Sequence, residues 1–168
     1  KRQLGICINT HAQSQSFLIL GDIHYDLLEN HDMEWLQKKP DDLRQVTTEY
    51  TQFTKKNWPA FSKQLRNRVK TYKPEIKAIL QLGDISEGLA GSEQKAEQMA
   101  QSVVKAVDAV AMSIPWIITK GNHDITGPGA QEAFIKYYIP MFQKQLDRTD
   151  IASANYAHQI GENLFMKL

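Results

Sequence analysis

Phe17-Leu18-Ile19-Leu20-Gly21-Asp22-Ile23-His24 decides the fold. Four apolar residues run into a glycine, an acid follows, and a histidine stands two positions further on. The same pattern returns twice. Ala78-Ile79-Leu80-Gln81-Leu82 leads to Gly83-Asp84, and Trp116-Ile117-Ile118-Thr119-Lys120 leads to Gly121-Asn122. Short runs of Leu and β-branched residues closed by Gly read as buried strands that end at a turn.

Working outward, the segments between these runs carry helical spacing. Leu43, Val46, Tyr50 and Phe53 recur at helix period. Asn57 followed by Trp58-Pro59 predicts a fresh helix start, continued on one face by Phe61, Leu65, Val69 and Tyr72. From an expected N-cap at Ser92, Ala96, Met99, Val103, Val107 and Val110 form one apolar stripe. A helix is predicted from Gln131 to Tyr138, broken or restarted at Pro140, and 155–168 reads as a hairpin. Strands alternating with long helices give an α/β fold with a parallel sheet. Ligands in such sheets bind outside the carboxyl ends of the strands, so the three Gly-Asp/Asn tips are expected along one edge.

Composition excludes several classes. The chain has 168 residues, enough for one domain with its own core. Twenty Lys+Arg against nineteen Asp+Glu leave a net charge of +1, which argues against a polycation built for nucleic acid or anionic membrane. A single cysteine, Cys7, permits neither a disulfide framework nor a thiolate metal cluster within the chain. No apolar run is long enough for a membrane span. Residues 1–16 are expected to be a lead-in or the remnant of an export signal: Lys1-Arg2, a short apolar stretch, then small and polar residues. That reading favours an exported or periplasmic protein, with a cytoplasmic one as the alternative. The stop at Leu168, inside a strand-like run, is read as the end of a piece of a longer protein, with 17–168 the N-terminal part of its domain.

The tips carry ligand chemistry. Asp22 and His24 alternate by two, so an extended backbone turns both to one side. Asp84 offers two carboxylate oxygens that can bridge metals, and Asn122 a neutral amide oxygen. Two divalent cations with Asp22, Asp84 and a bridging hydroxide leave a net positive site, which attracts a phosphate ester and stabilises the charge of an in-line attack. Donors of the N/O type suit Mn, Fe or Zn.

The three motifs D-x-H, G-D-x-x-x-G and G-N-H-D, in that order on strand ends, resemble the calcineurin-like metallophosphoesterase superfamily from about Phe17 onward. The resemblance implies a β-sandwich flanked by helices, of which this chain supplies mainly the first sheet. It also implies two divalent or di/trivalent metal ions. Asp22 and His24 would hold the first, Asp84 would bridge, and Asn122 would bind the second. His123 would act near the leaving group as general acid or transition-state stabiliser, oriented by Asp124. The expected activity is hydrolysis of a phosphate ester, with a phosphorylated small molecule as the favoured substrate. A nuclease or nucleotide phosphodiesterase, and a non-catalytic metal-binding fragment, are the alternatives.

Two later family motifs, a lone His and Gly-His-x-His, do not occur in this chain. After His123 the only histidine is His158, read as an ordinary strand residue. The second motif ends in Glu87-Gly88, unlike the Asp-Arg-Gly of protein Ser/Thr phosphatases, and lacks the tyrosine of purple acid phosphatases. His11 and His31 are expected at the surface. The tryptophans are expected in packing, with Trp35 and Trp58 also placed to line a substrate cleft. Lys63, Arg66, Lys70 and Lys73 share one helical face, read as solvated, with a phosphate-rich partner as the alternative.

Overall fold

The computed structural model describes residues 15–167. Three strands, β1 (Ser16–Leu20), β2 (Ile76–Gln81) and β3 (Trp116–Ile118), form a parallel sheet in the order β1-β2-β3. Phe17 pairs with Ala78, Leu20 with Gln81, and Ile79 with Trp116, so the three carboxyl ends lie side by side. The central strand β2 buries Ile76, Ala78, Ile79 and Gln81, as a strand covered on both faces must.

The connections carry the helices. Between β1 and β2 lie α1 (Met33–Leu36), α2 (Pro40–Gln45), a π-helical turn (Val46–Tyr50) and the long α3 (Thr51–Thr71). α4 (Glu93–Val110) joins β2 to β3. After β3 come α5 (Ala130–Ala133), a second π turn (Phe134–Tyr138) and α6 (Ile139–Leu146), then a hairpin of β4 (Ala157–Ile160) and β5 (Asn163–Met166). The predicted stripe on α4 is the centre of the core: Ala96, Met99, Val103, Val107 and Val110 are all buried. Phe134 and Phe142 close the cluster with their rings 5.9 Å apart. Burial of side chains of this size contributes roughly 1.5–3 kcal/mol each.

Two expectations change, and one gains detail. Pro59 does not start a helix; it lies inside α3, which begins at Thr51. Proline removes one helical hydrogen bond, and packing of the neighbouring Trp58 and Phe61 against the core carries the helix through it. Ser92 caps α4 by backbone geometry alone, with no side-chain hydrogen bond. His31 is buried, for reasons given below. The strands among the described residues are one parallel three-stranded sheet and one hairpin. The lead-in expected at 1–16 falls almost wholly outside the described residues, and no helix within them is long and apolar enough to cross a membrane.

Lys167 follows β5 and is buried, its Nζ without a hydrogen-bond partner among the described residues. The ammonium lies 4.7 Å from the Tyr156 ring and 5.4 Å from that of Phe142. Burial pushes its pKa down from 10.5 to about 7. Between these two values the unfolded chain takes up a proton that the folded chain does not hold, so this group makes stability rise with pH across that window and leaves it flat below. Denaturation at about pH 7 and about pH 10 should therefore show a gain for the wild type relative to Lys167→Met of at least ~1 kcal/mol. Parallel pH profiles for the two proteins would show that the lysine is solvated.

Candidate metal centre

Each tip is built by local chemistry. At the end of β2 the buried Gln81 braces its own turn: its Nε2 donates to the Gly83 carbonyl at 2.6 Å, and the Gly83 N–H donates to its Oε1 at 3.0 Å. That brace holds Gly83 at φ 114° and Asp84 at φ 51°. His24 is likewise left-handed at φ 45°, so the extended backbone expected to turn it to the same side as Asp22 is not what places it. Non-glycine residues in this region are uncommon and cluster at functional sites, where the surroundings hold them in place.

Hydrogen bonds then lace the three tips together. The His24 N–H donates to the Asp84 carbonyl at 2.9 Å, and the Tyr25 N–H to that of Ile85 at 2.8 Å. The His123 N–H donates to Asp84 Oδ1 at 2.8 Å. Gly83 and Gly121 meet backbone to backbone, and a Cβ on Gly121 would come within 2.6 Å of Asp84 Cγ. The same Cβ would also meet the Asp84 backbone nitrogen at 2.2 Å, so glycine at 121 is what lets both the carboxylate and the backbone of Asp84 come this close.

Glu87 sits beneath this edge, 1% exposed. Its Oε2 lies 2.7 Å from His24 Nδ1, and its carbonyl accepts from His123 Nδ1 at 2.8 Å. Its Oε1 is 3.5 Å from the same His123 nitrogen. One ligand atom from each of His24, Glu87 and His123 lies within 4.8 Å of the others. The two imidazoles meet edge to face, 4.7 Å between centroids, and the Tyr50 ring stacks on His24 at 4.8 Å. The bond to Glu87 raises the His24 pKa above its ordinary value, helped by the charges of Glu87, Asp84 and Asp22 and opposed by burial. Burial raises that of Glu87, against the pull of the two histidines.

Of the residues singled out from the sequence, His24, Asp84 and His123 are brought into direct contact. Asp22 is exposed at the end of β1, close enough for its charge to act on His24. Asn122 stands exposed at the start of the one-turn helix His123–Ile125. Asp124 does not orient the His123 ring as expected. Its Oδ1 accepts from the Ser86 N–H and hydroxyl, each at 2.9 Å, and its Oδ2 from the Gly121 N–H at 2.8 Å. It is a buried clamp between the second and third tips, and Glu87 holds the ring instead. His158 sits on β4, opposite Phe165 in the hairpin register.

Sequence reasoning also missed a buried pair behind the site. His31 donates from Nδ1 to the Leu89 carbonyl at 3.0 Å, and its Nε2 pairs with Asp26 Oδ1 at 2.8 Å. The Asp26 N–H donates to Thr54 Oγ1 at 2.9 Å. The pair ties the loop after β1 to the loop after β2 and to α3, which is why His31 is inside. The available signal was the continued alternation Asp22, His24, Asp26.

The donor set fits a divalent cation. Carboxylates, an amide and imidazoles are N/O donors, and imidazoles that ligate metal commonly give their other ring N–H to a carboxylate or carbonyl. Glu87 receives both Nδ1 atoms in that manner, which leaves the Nε2 of His24 for a metal and turns the Nε2 of His123 toward the same edge. The pattern that defines calcineurin-like phosphoesterases matches residues 16–164. The chain belongs to that family. Among curated proteins, no match to this chain was found.

Gly121→Ala should displace the Asp84 carboxylate. Calorimetric titration with Mn²⁺ is expected to show affinity weakened at least tenfold, in a protein whose circular dichroism is unchanged. Wild-type affinity in this variant would remove the close approach from the account.

Proposed function

We propose that this phosphoesterase hydrolyses a phosphate ester at the edge where its three tips meet, with Asp22, His24, Asp84 and Asn122 holding two metal ions. The observation that carries the reading is the lacing of His24 and His123 to Asp84. It gathers two imidazoles and a carboxylate from three distant loops at one sheet edge. Mn, Fe or Zn bound there would lower the pKa of water and polarise a phosphoryl oxygen.

The chain's own residues supply the rest. Asp84 would bridge the two ions: its carbonyl holds the His24 N–H and its carboxylate the His123 N–H, which sets it between the first and third tips. His123 serves as general acid toward the leaving-group oxygen: its Nδ1 proton is fixed on the Glu87 carbonyl, so Nε2 is the atom that gives up a proton. The Glu87 carboxylate balances the charge of the protonated ring. Asp124 holds the Gly121 turn, and through it the position of His123. A nuclease reading draws on the basic side chains of α3, of which Lys55, Lys56, Lys63 and Lys70 are exposed. They lie outside the laced edge, and a monoester or diester of a small molecule is favoured.

The test is turnover with Mn²⁺ on nitrophenyl phosphate, its bis ester and single-stranded DNA. Asp84→Asn should reduce activity on every substrate by at least a thousandfold. His123→Ala should reduce kcat about a hundredfold or more while metal content stays near wild type. Turnover retained in Asp84→Asn would end the bridging role. Equal loss of metal and activity in His123→Ala would make that histidine a ligand.

A further inference from the structure

Beside Asp22 the surface opens into a cleft of about 420 Å³ between the end of β1 and α3. Its walls are mainly rings and aliphatic side chains: Tyr25, Phe53, Trp58 and Phe61, with Leu20 and Ile23 at the floor. The Trp58 ring stands edge-on to Tyr25 at 5.2 Å and is tilted against Phe61 at 5.6 Å. Phe53 is 58% exposed, a large apolar side chain that folding alone leaves in water. Trp58 lines this cleft, whereas Trp35 packs on Gly91 and under the Lys39 ammonium.

The polar groups of the cleft are few. Asp22 marks the end nearest the tips, and Asn57 adds an exposed carboxamide. Thr54 also lines it, with its hydroxyl already bonded to the Asp26 N–H. No lysine or arginine lines the cleft among the described residues, although α3 carries several on its other faces. A polyanion would need those cations along its path. A single flat ring needs what is present: aromatic faces and edges at van der Waals spacing, in a concave site of ordinary ligand size.

We propose that this cleft binds the alcohol part of the substrate, and that the alcohol carries a planar aromatic ring. The inference rests on the proposed hydrolase reading for the position of the phosphoryl group, at Asp22. The ring then lies along the first turns of α3, between Phe53 and Trp58. The helical insert between β1 and β2 thus sets specificity, while the tips supply the chemistry.

Leaving-group acidity must be kept out of the test, so the pair of substrates is phenethyl phosphate and butyl phosphate. Both release a primary alcohol and only one has a ring. With Mn²⁺, kcat/KM should favour the phenethyl ester at least tenfold in the wild type, and Trp58→Ala should bring the ratio close to one. Phe53→Ala, at an exposed position, should lower the same ratio and covers the case in which Trp58→Ala fails to fold. Binding is read separately with the non-hydrolysable phenethylphosphonate and butylphosphonate. The phenethyl compound should shift the Trp58 indole N–H signal, leave those of Trp35 and Trp116 in place, and bind at least tenfold more tightly. Equal kcat/KM for the two esters, or equal affinity for the two phosphonates, would overturn the cleft assignment while hydrolysis itself stood. Selective binding of the ring compound without turnover of either ester would uphold the cleft and overturn the hydrolase reading.

Discussion

Asp84 is the residue on which the edge of this sheet depends. Its carbonyl receives the His24 N–H and its carboxylate the His123 N–H. One left-handed residue thereby fixes the loop after β1 and the loop after β3 against the loop that holds it. The cost of that backbone conformation is met by neighbours that leave no alternative. Gln81 braces the turn from below, and Gly121 lacks the Cβ that would exclude the carboxylate. Asp124 and the Asp26–His31 pair repeat the same work one layer deeper, each tying two loops through buried hydrogen bonds. Hydrogen bonds to buried charged groups are worth more than those between neutral groups, and leaving such a group unpaired is expensive. The tips therefore stay aligned.

Much of this was legible from residue order. Apolar runs ending in glycine marked β1, β2 and β3, because a buried parallel strand needs continuous hydrophobic residues and a sharp exit. The α4 stripe was legible because one face of a helix must cover a sheet. His24, Asp84 and His123 could be singled out because each follows such an exit. The second layer was not legible. Glu87 looked like the tail of a motif, and its role appears only when the fold brings it under two imidazoles from loops 63 and 36 residues away. Asp124 is adjacent to His123 in sequence, yet its carboxylate turns toward Ser86. Proximity along the chain says little about which way a buried side chain faces.

Pro59 and His31 show the same limit from another side. Proline read alone predicts a boundary, yet α3 passes through it because Trp58 and Phe61 are anchored in the surrounding packing. Histidine without a motif reads as a surface residue, yet His31 is held inside by an acid five positions earlier. In both cases tertiary contacts outweigh a local preference worth only a few kcal/mol. The same packing leaves the Phe53 side of α3 open beside Asp22. A chemical edge and a separate cleft can thus share one scaffold, the first set by glycine-terminated strands and the second by the rings of the intervening helix.

Three distant loop tips are proposed to form one metal-binding edge. Anomalous scattering from crystals grown with Mn²⁺ tests it most directly. The account predicts anomalous density at the carboxyl ends of β1, β2 and β3, within bonding distance of Asp22, His24 and Asp84. Density elsewhere on the protein, or none at that edge in well-ordered crystals, would contradict it.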